Sequence, residues 1–157
     1  GVLNLHPSYL PYNKGWHTPT WTILDETTCG ATLHFMSQKL DEGDIIHQKQ
    51  IKVLDNDTAN SLYKRILVLE FEVFCEAFDS IVSLNPNRIK QKNNGSVHRK
   101  SDLFEINKID LSKNVNVKNF LNKLRALTTN DIKEAAYFEK NGIKYAVQID
   151  IKKINEN

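Results

Sequence analysis

The sequence predicts an α/β fold in which a few short strands pack under one long helix, followed by a small unit with a helix and a β-hairpin. Three observations support this prediction. Residues 2–5 form a short apolar run that Pro7 must end, because proline cannot donate a hydrogen bond to a neighbouring strand. Residues 31–36 and 45–51 alternate well enough between apolar and polar side chains to be strands. Residues 59 to about 83 carry apolar side chains at helical spacing.

The composition fits one globular chain with a core of its own. The 157 residues are 40% hydrophobic and 25% charged, which excludes an intrinsically disordered protein. No apolar run is long enough to span a bilayer, and no basic region precedes the first apolar residues, so neither an anchor nor a signal peptide is predicted. A net charge of +2 is too small to indicate nucleic-acid binding. Cys29 and Cys75 lie far apart without ligand spacing, which favours reduced thiols and a cytoplasmic location.

The segment after the first strand, residues 9–19, is predicted to be a loop. Prolines flank the turn signal Asn13-Lys14-Gly15, and the loop carries Tyr12, Trp16 and His17. Such a loop either binds a ligand or covers the core with its aromatics, and the residues alone leave both interpretations open. Thr18 is expected to cap a helix with Pro19 at its first position, continuing to Asp25.

The two alternating segments are predicted to form a hairpin, because residues 38–44 between them contain the glycine that a tight reversal requires. Asp41 therefore lies at the tip of the hairpin. A string such as Asp41-Glu42-Gly43-Asp44 is usually a solvent-exposed acidic turn, and this interpretation stays open beside a functional one. His34 and His47 are expected to be structural histidines, since no third ligand has metal spacing with them.

The long helix is predicted to begin after a cap at Asp57-Thr58 and to be apolar on two sides. One stripe contains Leu62, Ile66, Leu69 and Val73, and the other contains Leu67, Phe71, Phe74 and Phe78. One side must cover the sheet. The other needs further chain or another subunit, because an exposed ridge of phenylalanines is itself an association site.

A polar linker over residues 91–95 divides the chain into two predicted units. The first unit comprises residues 1–93, and the second, smaller unit comprises residues 94–157. The smaller unit is expected to begin with a loop over residues 97–102 and to contain a short amphipathic helix over residues 117–126.

The smaller unit is also predicted to contain a hairpin of residues 135–139 and 143–151 around an Asn-Gly turn. A lone hairpin is marginal in water, so this one should add to the main sheet or to a neighbour's hairpin. Its apolar row consists of Tyr137, Ile143, Tyr145, Val147, Ile149 and Ile151. Two strands cannot bury such a row on themselves, which predicts a homodimer built largely by the chain after Asn94.

The candidate site begins at the end of the first strand. Asn4 and His6 are two residues apart, so on a strand their side chains project to the same face. An amide donor beside an imidazole can bind and protonate a developing oxyanion. Asp41 would supply the acid–base partner of this pair.

These residues resemble the folate-dependent formyltransferases. The resemblance lies in Asn4-x-His6-Pro7-Ser8, followed downstream by Leu40-Asp41-x-Gly43-Asp44-Ile45-Ile46. Within that family, the stretch from Tyr9 to Trp21 and the segment Leu124-Arg-Ala-Leu-Thr-Thr-Asn130 are similar to sugar-nucleotide N-formyltransferases, especially those acting on dTDP-linked 3-amino-3,6-dideoxyhexoses. The resemblance implies that residues 1–93 form the second half of a doubly wound formyltransferase-type sheet.

The resemblance also implies a reaction and its residues. A formyl group would pass from 10-formyltetrahydrofolate to the amine of a dTDP-linked amino-dideoxy sugar, without a metal ion or a covalent enzyme intermediate. Asn4 and His6 would hold the oxyanion, while Asp41 pairs with His6 and relays the amine proton. The candidates for contacts with the sugar nucleotide are Tyr12, Lys14, Trp16 and His17, with the lysine for phosphate and an aromatic for the base.

The chain departs from its relatives at its first residue. Relatives have the first half of the doubly wound sheet before the Asn-x-His strand, whereas this sequence opens in mid-strand with Gly1 and no initiator methionine. We therefore expect a piece of a longer protein that does not catalyse efficiently alone, since the folate crevice lies between the two halves. Two alternatives remain: a truncated, non-catalytic relative that binds a sugar nucleotide or mediates oligomerisation, and a folate-dependent enzyme with a nucleotide intermediate or charged tRNA as acceptor.

Overall fold

The computed structural model describes residues 1–92 and 94–154. The predicted division between residues 93 and 94 therefore touches residue 93, which lies outside the described residues. The strands are β1 Leu3–His6, β2 Lys14–Gly15, β3 Gly30–Phe35, β4 Ile45–Gln50, β5 Val97–His98, β6 Ala136–Lys140 and β7 Ile143–Val147. The helices are α1 Thr18–Leu24, α2 Ala59–Val82, α3 Asp102–Ile106, α4 Val117–Ala126 and the short 3-10 helix Ile132–Glu134.

The main sheet has three strands in the order β1-β3-β4. β3 and β4 form the predicted antiparallel hairpin, and β1 pairs antiparallel with β3, so that Asn4 lies opposite His34 and His6 lies opposite Thr32. The predicted α/β fold class is confirmed, and each predicted strand of this sheet is found within one or two residues of its expected bounds.

The core lies between this sheet and α2. The predicted apolar stripe of α2 is buried, with Leu62, Ile66 and Val73 at 0% exposure against β3 and β4. Its first turn is closed by a capping box in which the Thr58 and Ser61 side chains each accept from the other's backbone N–H. The second stripe faces outward and is open to solvent, with Phe71 at 69% exposure.

Helix α1 begins differently from the prediction. The N-cap residue is His17, in a left-handed conformation with φ of 56°, and Thr18 is already helical. Because Thr18 already has helical backbone angles it is not the cap, and its hydroxyl donates to the carbonyl of Pro7 at 2.8 Å. The helix is therefore anchored to the end of β1 rather than closed by its own threonine.

The loop and the later segment that were predicted to be irregular pair with each other. Lys14–Gly15 forms β2 and Val97–His98 forms β5, and the two run parallel. Residues 97–102 are consequently not a simple loop, because they contain β5 and the first residue of α3. This pairing ties the C-terminal part of the chain to the loop that follows β1.

A second, smaller core lies in the C-terminal part of the chain. It is formed by Leu103, Leu124, Leu127 and Ala136. The predicted hairpin is present as β6 and β7, but its second strand ends at Val147 and not at residue 151. It forms a separate two-stranded sheet rather than an extension of the main one. It gains the second surface that it needs from α3 and α4, since Val147 and Ile149 pack against this core.

The C-terminal part is joined to the first part by apolar packing and by hydrogen bonds. Ala126 at the end of α4 packs in the main core, and its carbonyl accepts from the hydroxyl of Thr20 on α1 at 2.8 Å. The guanidinium of Arg125 donates to the carbonyls of Asp57 and Leu54. In residues 1–92 and 94–154, no helix combines the length and hydropathy that membrane crossing requires.

Candidate active site

The structure brings Asn4, His6 and Asp41 together at the turn end of the β3–β4 hairpin. Nδ1 of His6 lies 3.6 Å from Oδ2 of Asp41. Asn4 reaches the same carboxylate through His34, since its Nδ2 lies 3.3 Å from Nε2 of His34, and that nitrogen lies 3.7 Å from Oδ1 of Asp41. Two imidazoles therefore face the Asp41 carboxylate, and the Asn4 amide is linked to it through one of them.

Asp41 is not the solvent-exposed turn residue that its sequence context allows. Its side chain is 10% exposed, and Oδ2 accepts from the backbone N–H of Gly15 at 2.9 Å. The reversal is shaped by close backbone approach, because a Cβ at Gly43 would lie 1.7 Å from the carbonyl of Phe35. Gln91 then holds the reversal from outside by donating to the carbonyls of Asp41 and Gly43. The carboxylate is thus held by Gly15, and the backbone of the reversal is held by Gln91.

His34 is the site residue that sequence reasoning missed. Its Nδ1 donates to the carbonyl of Phe35 at 2.8 Å, so Nε2 is the acceptor that holds the amide of Asn4. The register of β3 against β4 shifts between Leu33 and His34, and the His34 ring faces Asp41. The signal that could have identified His34 is the pairing of β1 with β3, which places His34 opposite Asn4. Periodicity within one strand does not contain that signal.

His6 is held in an environment that opposes its charge. Burial lowers its pKa from the ordinary value of 6.5, while the Asp41 carboxylate and the Asn13 carbonyl act in the opposite direction. The ring's Nε2 lies 3.1 Å from that carbonyl. A buried imidazole beside a carboxylate can exchange a proton, and the free N–H of the neighbouring Asn4 amide can donate to an oxyanion.

Of the four loop residues expected to contact substrate, only two line the same cavity. Trp16 and His17 line a cavity of about 340 Å³, which begins at Pro7 and Gly15 beside the site. Tyr12 lines a different cavity. Lys14 is buried, and its ammonium lies 3.5 Å from Oε1 of Glu42.

The cavity beside Trp16 is also lined by residues from distant parts of the chain that sequence reasoning did not connect with it. They are Asn60 and Tyr63 of α2 and Thr129, Asn130 and Glu134 near the 3-10 helix. The Trp16 ring is 52% exposed, and the Lys100 ammonium lies 5.4 Å from its centroid. Within the described ranges, no cluster of His, Cys, Asp and Glu side chains could hold a metal ion.

Two family models match the chain. Residues 1–78 match the model described as formyl transferase, and residues 102–153 match the N-formyltransferase dimerization C-terminal domain. The dTDP-4-amino-4,6-dideoxyglucose formyltransferase of Mycobacterium tuberculosis is 32% identical over 147 residues, a match that covers 94% of this chain. The chain spans 63% of the length of that curated relative.

Solved structures are similar along nearly the whole chain. A 4-N formyltransferase from Francisella tularensis has a TM-score of 0.91 and 32% identity, over 97% of this chain and 63% of that one. An N-formyltransferase from Helicobacter canadensis, solved with folinic acid and dTDP-3-aminofucose, has a TM-score of 0.73 and 26% identity, over 90% of this chain and 51% of that one.

Proposed function

This chain belongs to the formyltransferase family, and from that premise we propose that it carries the catalytic centre of a sugar-nucleotide N-formyltransferase. The acceptor is the amine of a dTDP-linked amino-dideoxyhexose, as in the names of the Mycobacterium and Helicobacter proteins. The observation that carries the proposal is the cluster of Asn4, His6 and His34 around the Asp41 carboxylate, beside a cavity with an exposed tryptophan.

The formyl donor in this proposal is 10-formyltetrahydrofolate. When bound, it supplies the formyl carbon and a nitrogen leaving group. The donor set of the site fits that chemistry, because an amide N–H stands beside an imidazole and a carboxylate, which together can stabilise an oxyanion and carry a proton.

Each residue of the cluster has a proposed task in the transfer. Asn4 donates its free amide N–H to the formyl oxygen as that oxygen gains negative charge. His6 and Asp41 take up the proton that the attacking amine loses, at Nδ1 and the facing carboxylate, and return a proton to the departing nitrogen. His34 orients the Asn4 amide through its Nε2.

The sugar nucleotide is proposed to lie in the cavity beside Trp16 and His17. Trp16 offers an exposed aromatic face for the base, and Lys100 stands close enough to approach a phosphate. Tyr12 and Lys14 stay predicted contacts; the ion pair of Lys14 with Glu42 connects β2 to the Asp41 reversal. A homodimer through the C-terminal part and a cytoplasmic location belong to the same proposal, supported by the family match over residues 102–153 and by two free cysteines.

Binding of the nucleotide can be tested on the 157-residue chain itself. We expect dTDP to bind, and Trp16→Ala to weaken that binding about tenfold, because base stacking on the ring is lost. The matched control is Phe71→Ala, which removes another exposed aromatic ring, from the outward face of α2. Isothermal calorimetry measures the dTDP affinity of both variants. Equal affinity of the two variants would remove Trp16 from the proposed site.

The reaction is tested in a protein competent for formyl transfer that contains this chain. We expect a dTDP-amino-dideoxyhexose to gain one formyl group from 10-formyltetrahydrofolate, detected by mass spectrometry. The corresponding dTDP-dideoxyhexose without an amine is the control, because it lacks the nucleophile. Turnover of charged tRNA, with none of the aminosugar nucleotides, would contradict the proposed acceptor.

A further inference from the structure

Asn13 is a fully buried residue in the loop after β1, and the proposed reaction gives it no task. It adopts a φ of 54°, in the left-handed region that asparagine occupies more readily than most residues. Its carbonyl faces His6, and its remaining polar groups all bond to other segments. A buried residue with this conformation and this many partners merits a functional explanation.

The first contact concerns the proton on His6. Nε2 of His6 lies 3.1 Å from the Asn13 carbonyl oxygen. A carbonyl only accepts, so this nitrogen keeps its proton in both charge states of the ring. The nitrogen that gains or loses a proton is then Nδ1, which faces Asp41 at 3.6 Å.

The second set of contacts fixes the position of that carbonyl. The Asn13 amide donates to the hydroxyls of Thr22 at 2.9 Å and Thr27 at 2.8 Å. The Ser96 hydroxyl donates to Oδ1 of Asn13 at 3.0 Å and accepts from its backbone N–H at 2.9 Å. Helix α1, the turn after it and the segment before β5 therefore hold Asn13 from three sides.

We propose that Asn13 is a positioning residue: its side chain holds the carbonyl that keeps a proton on Nε2 of His6, so that Nδ1 is the nitrogen that exchanges protons with Asp41. The catalytic consequence rests on the proposed formyl transfer. The position of the proton on His6 does not depend on that proposed reaction, because it is a property of this chain without substrate.

A purely structural role predicts something different. An asparagine that only stabilises the loop would lower the free energy of unfolding when removed and leave the His6 tautomer as it was. If Asn13 has a positioning role, its removal changes which nitrogen of the neutral His6 ring carries the proton. The two titratable groups that face the ring within the described chain are Asp41 and His34, and neither contacts the side chain of Asn13 in the bonds described above.

The test is the tautomer of neutral His6, read from the nitrogen chemical shifts and two-bond couplings of the ¹⁵N-labelled 157-residue chain. We expect the wild type to carry its proton on Nε2. Asn13→Gly keeps the left-handed backbone and removes every side-chain bond. We expect this variant to show a mixture of tautomers at His6.

Two further variants keep the test decisive. Asn141→Gly removes an asparagine with φ of 52° from the β6–β7 turn, and we expect an unchanged His6 signal. Ser96→Ala loosens the same network without altering Asn13, and it carries the test if circular dichroism shows that Asn13→Gly is unfolded. A proton on Nδ1 in the wild type overturns the proposal, as does a pure Nε2–H tautomer in both network variants.

The second readout is turnover in a protein competent for formyl transfer. We expect Ser96→Ala to lower kcat about tenfold with KM nearly unchanged, because the proton carrier is misplaced while the substrate cavity is intact. The acidic limb of the pH profile should move to lower pH, since the carbonyl bond supports the protonated ring. Unchanged kcat and pH profile would overturn the catalytic part. Absence of turnover even in the wild type would count against the proposed function and leave the tautomer result standing.

Discussion

At the scale of single residues, the site depends on a carboxylate that the fold shields from water. Asp41 is held by the Gly15 N–H and faces two imidazoles, whereas its neighbour Asp44 pairs with Arg88 in a more exposed position. Two aspartates of one reversal thus have different environments. That difference allows a matched comparison.

Asp41→Asn should lower kcat by about a hundredfold or more, because the amide can still accept from Gly15 but cannot carry a proton. Asp44→Asn should change kcat less than threefold. Steady-state kinetics in a protein competent for formyl transfer, with circular dichroism as a check on folding, measures both. Near-normal turnover of Asp41→Asn would contradict the proposed role of the carboxylate.

His98 gives a prediction about pH. Its ring stacks on Trp21 with centroids 4.1 Å apart, and burial lowers its pKa below 6.5, against the opposing effect of Asp25 and Asp102. Below pH 6.5 the unfolded chain therefore binds a proton that the folded chain binds less readily, so the free energy of unfolding decreases as pH falls.

His98→Phe keeps the stacked ring and removes the titration. We expect urea midpoints of the wild type to fall between pH 7 and pH 5 more than those of the variant. His6 retains its own contribution in both proteins, since its pKa is also lowered by burial. Parallel pH dependences of the two proteins would show that His98 does not titrate in this way.

At the scale of elements, α2 determines the stability of the main sheet. Its inward stripe contains Ile66, which has no exposed surface, while Val68 of the same helix is 62% exposed. Ile66→Ala should lower the free energy of unfolding by about 2–5 kcal/mol through lost burial and a residual cavity. Val68→Ala should cost less than about 1 kcal/mol. Urea unfolding followed by circular dichroism separates the two, and similar losses would mean that the outward face of α2 is covered in solution.

At the scale of the whole molecule, the proposed dimer is the main expectation. Ile143 and Tyr145 lie on one face of β7 and remain 55% and 45% exposed after the C-terminal core is formed. Ile143→Asp should convert a dimer to a monomer, because it places a charge in an apolar contact. Multi-angle light scattering measures the mass.

The control for the dimer is Phe71→Asp, which places the same charge on the outward face of α2. We expect that variant to remain dimeric. A wild-type chain that is monomeric at micromolar concentration would refute the dimer, and dissociation by Phe71→Asp alone would move the interface to α2.

The sequence by itself determined the elements whose signals are local. The alternating strands, the apolar stripe of α2 and the Asn-Gly turn of the last hairpin follow from periodicity and turn chemistry, which depend on neighbouring residues only. The trio of Asn4, His6 and Asp41 was also predicted from the sequence, through short motifs and their resemblance to a family. Its role stays a prediction.

Tertiary structure decided the contacts between residues that are distant in sequence. His34 joins the site only because β3 pairs with β1, and Asp41 is buried only because the reversal folds back onto Gly15. Thr18 is the first helical residue of α1 and its hydroxyl bonds to Pro7 after β1, and Ser96 reaches Asn13 across the β2–β5 pair. Each of these contacts depends on the register of paired strands and on which distant segment lies within hydrogen-bond distance of a polar group. Periodicity within one element carries no information about either.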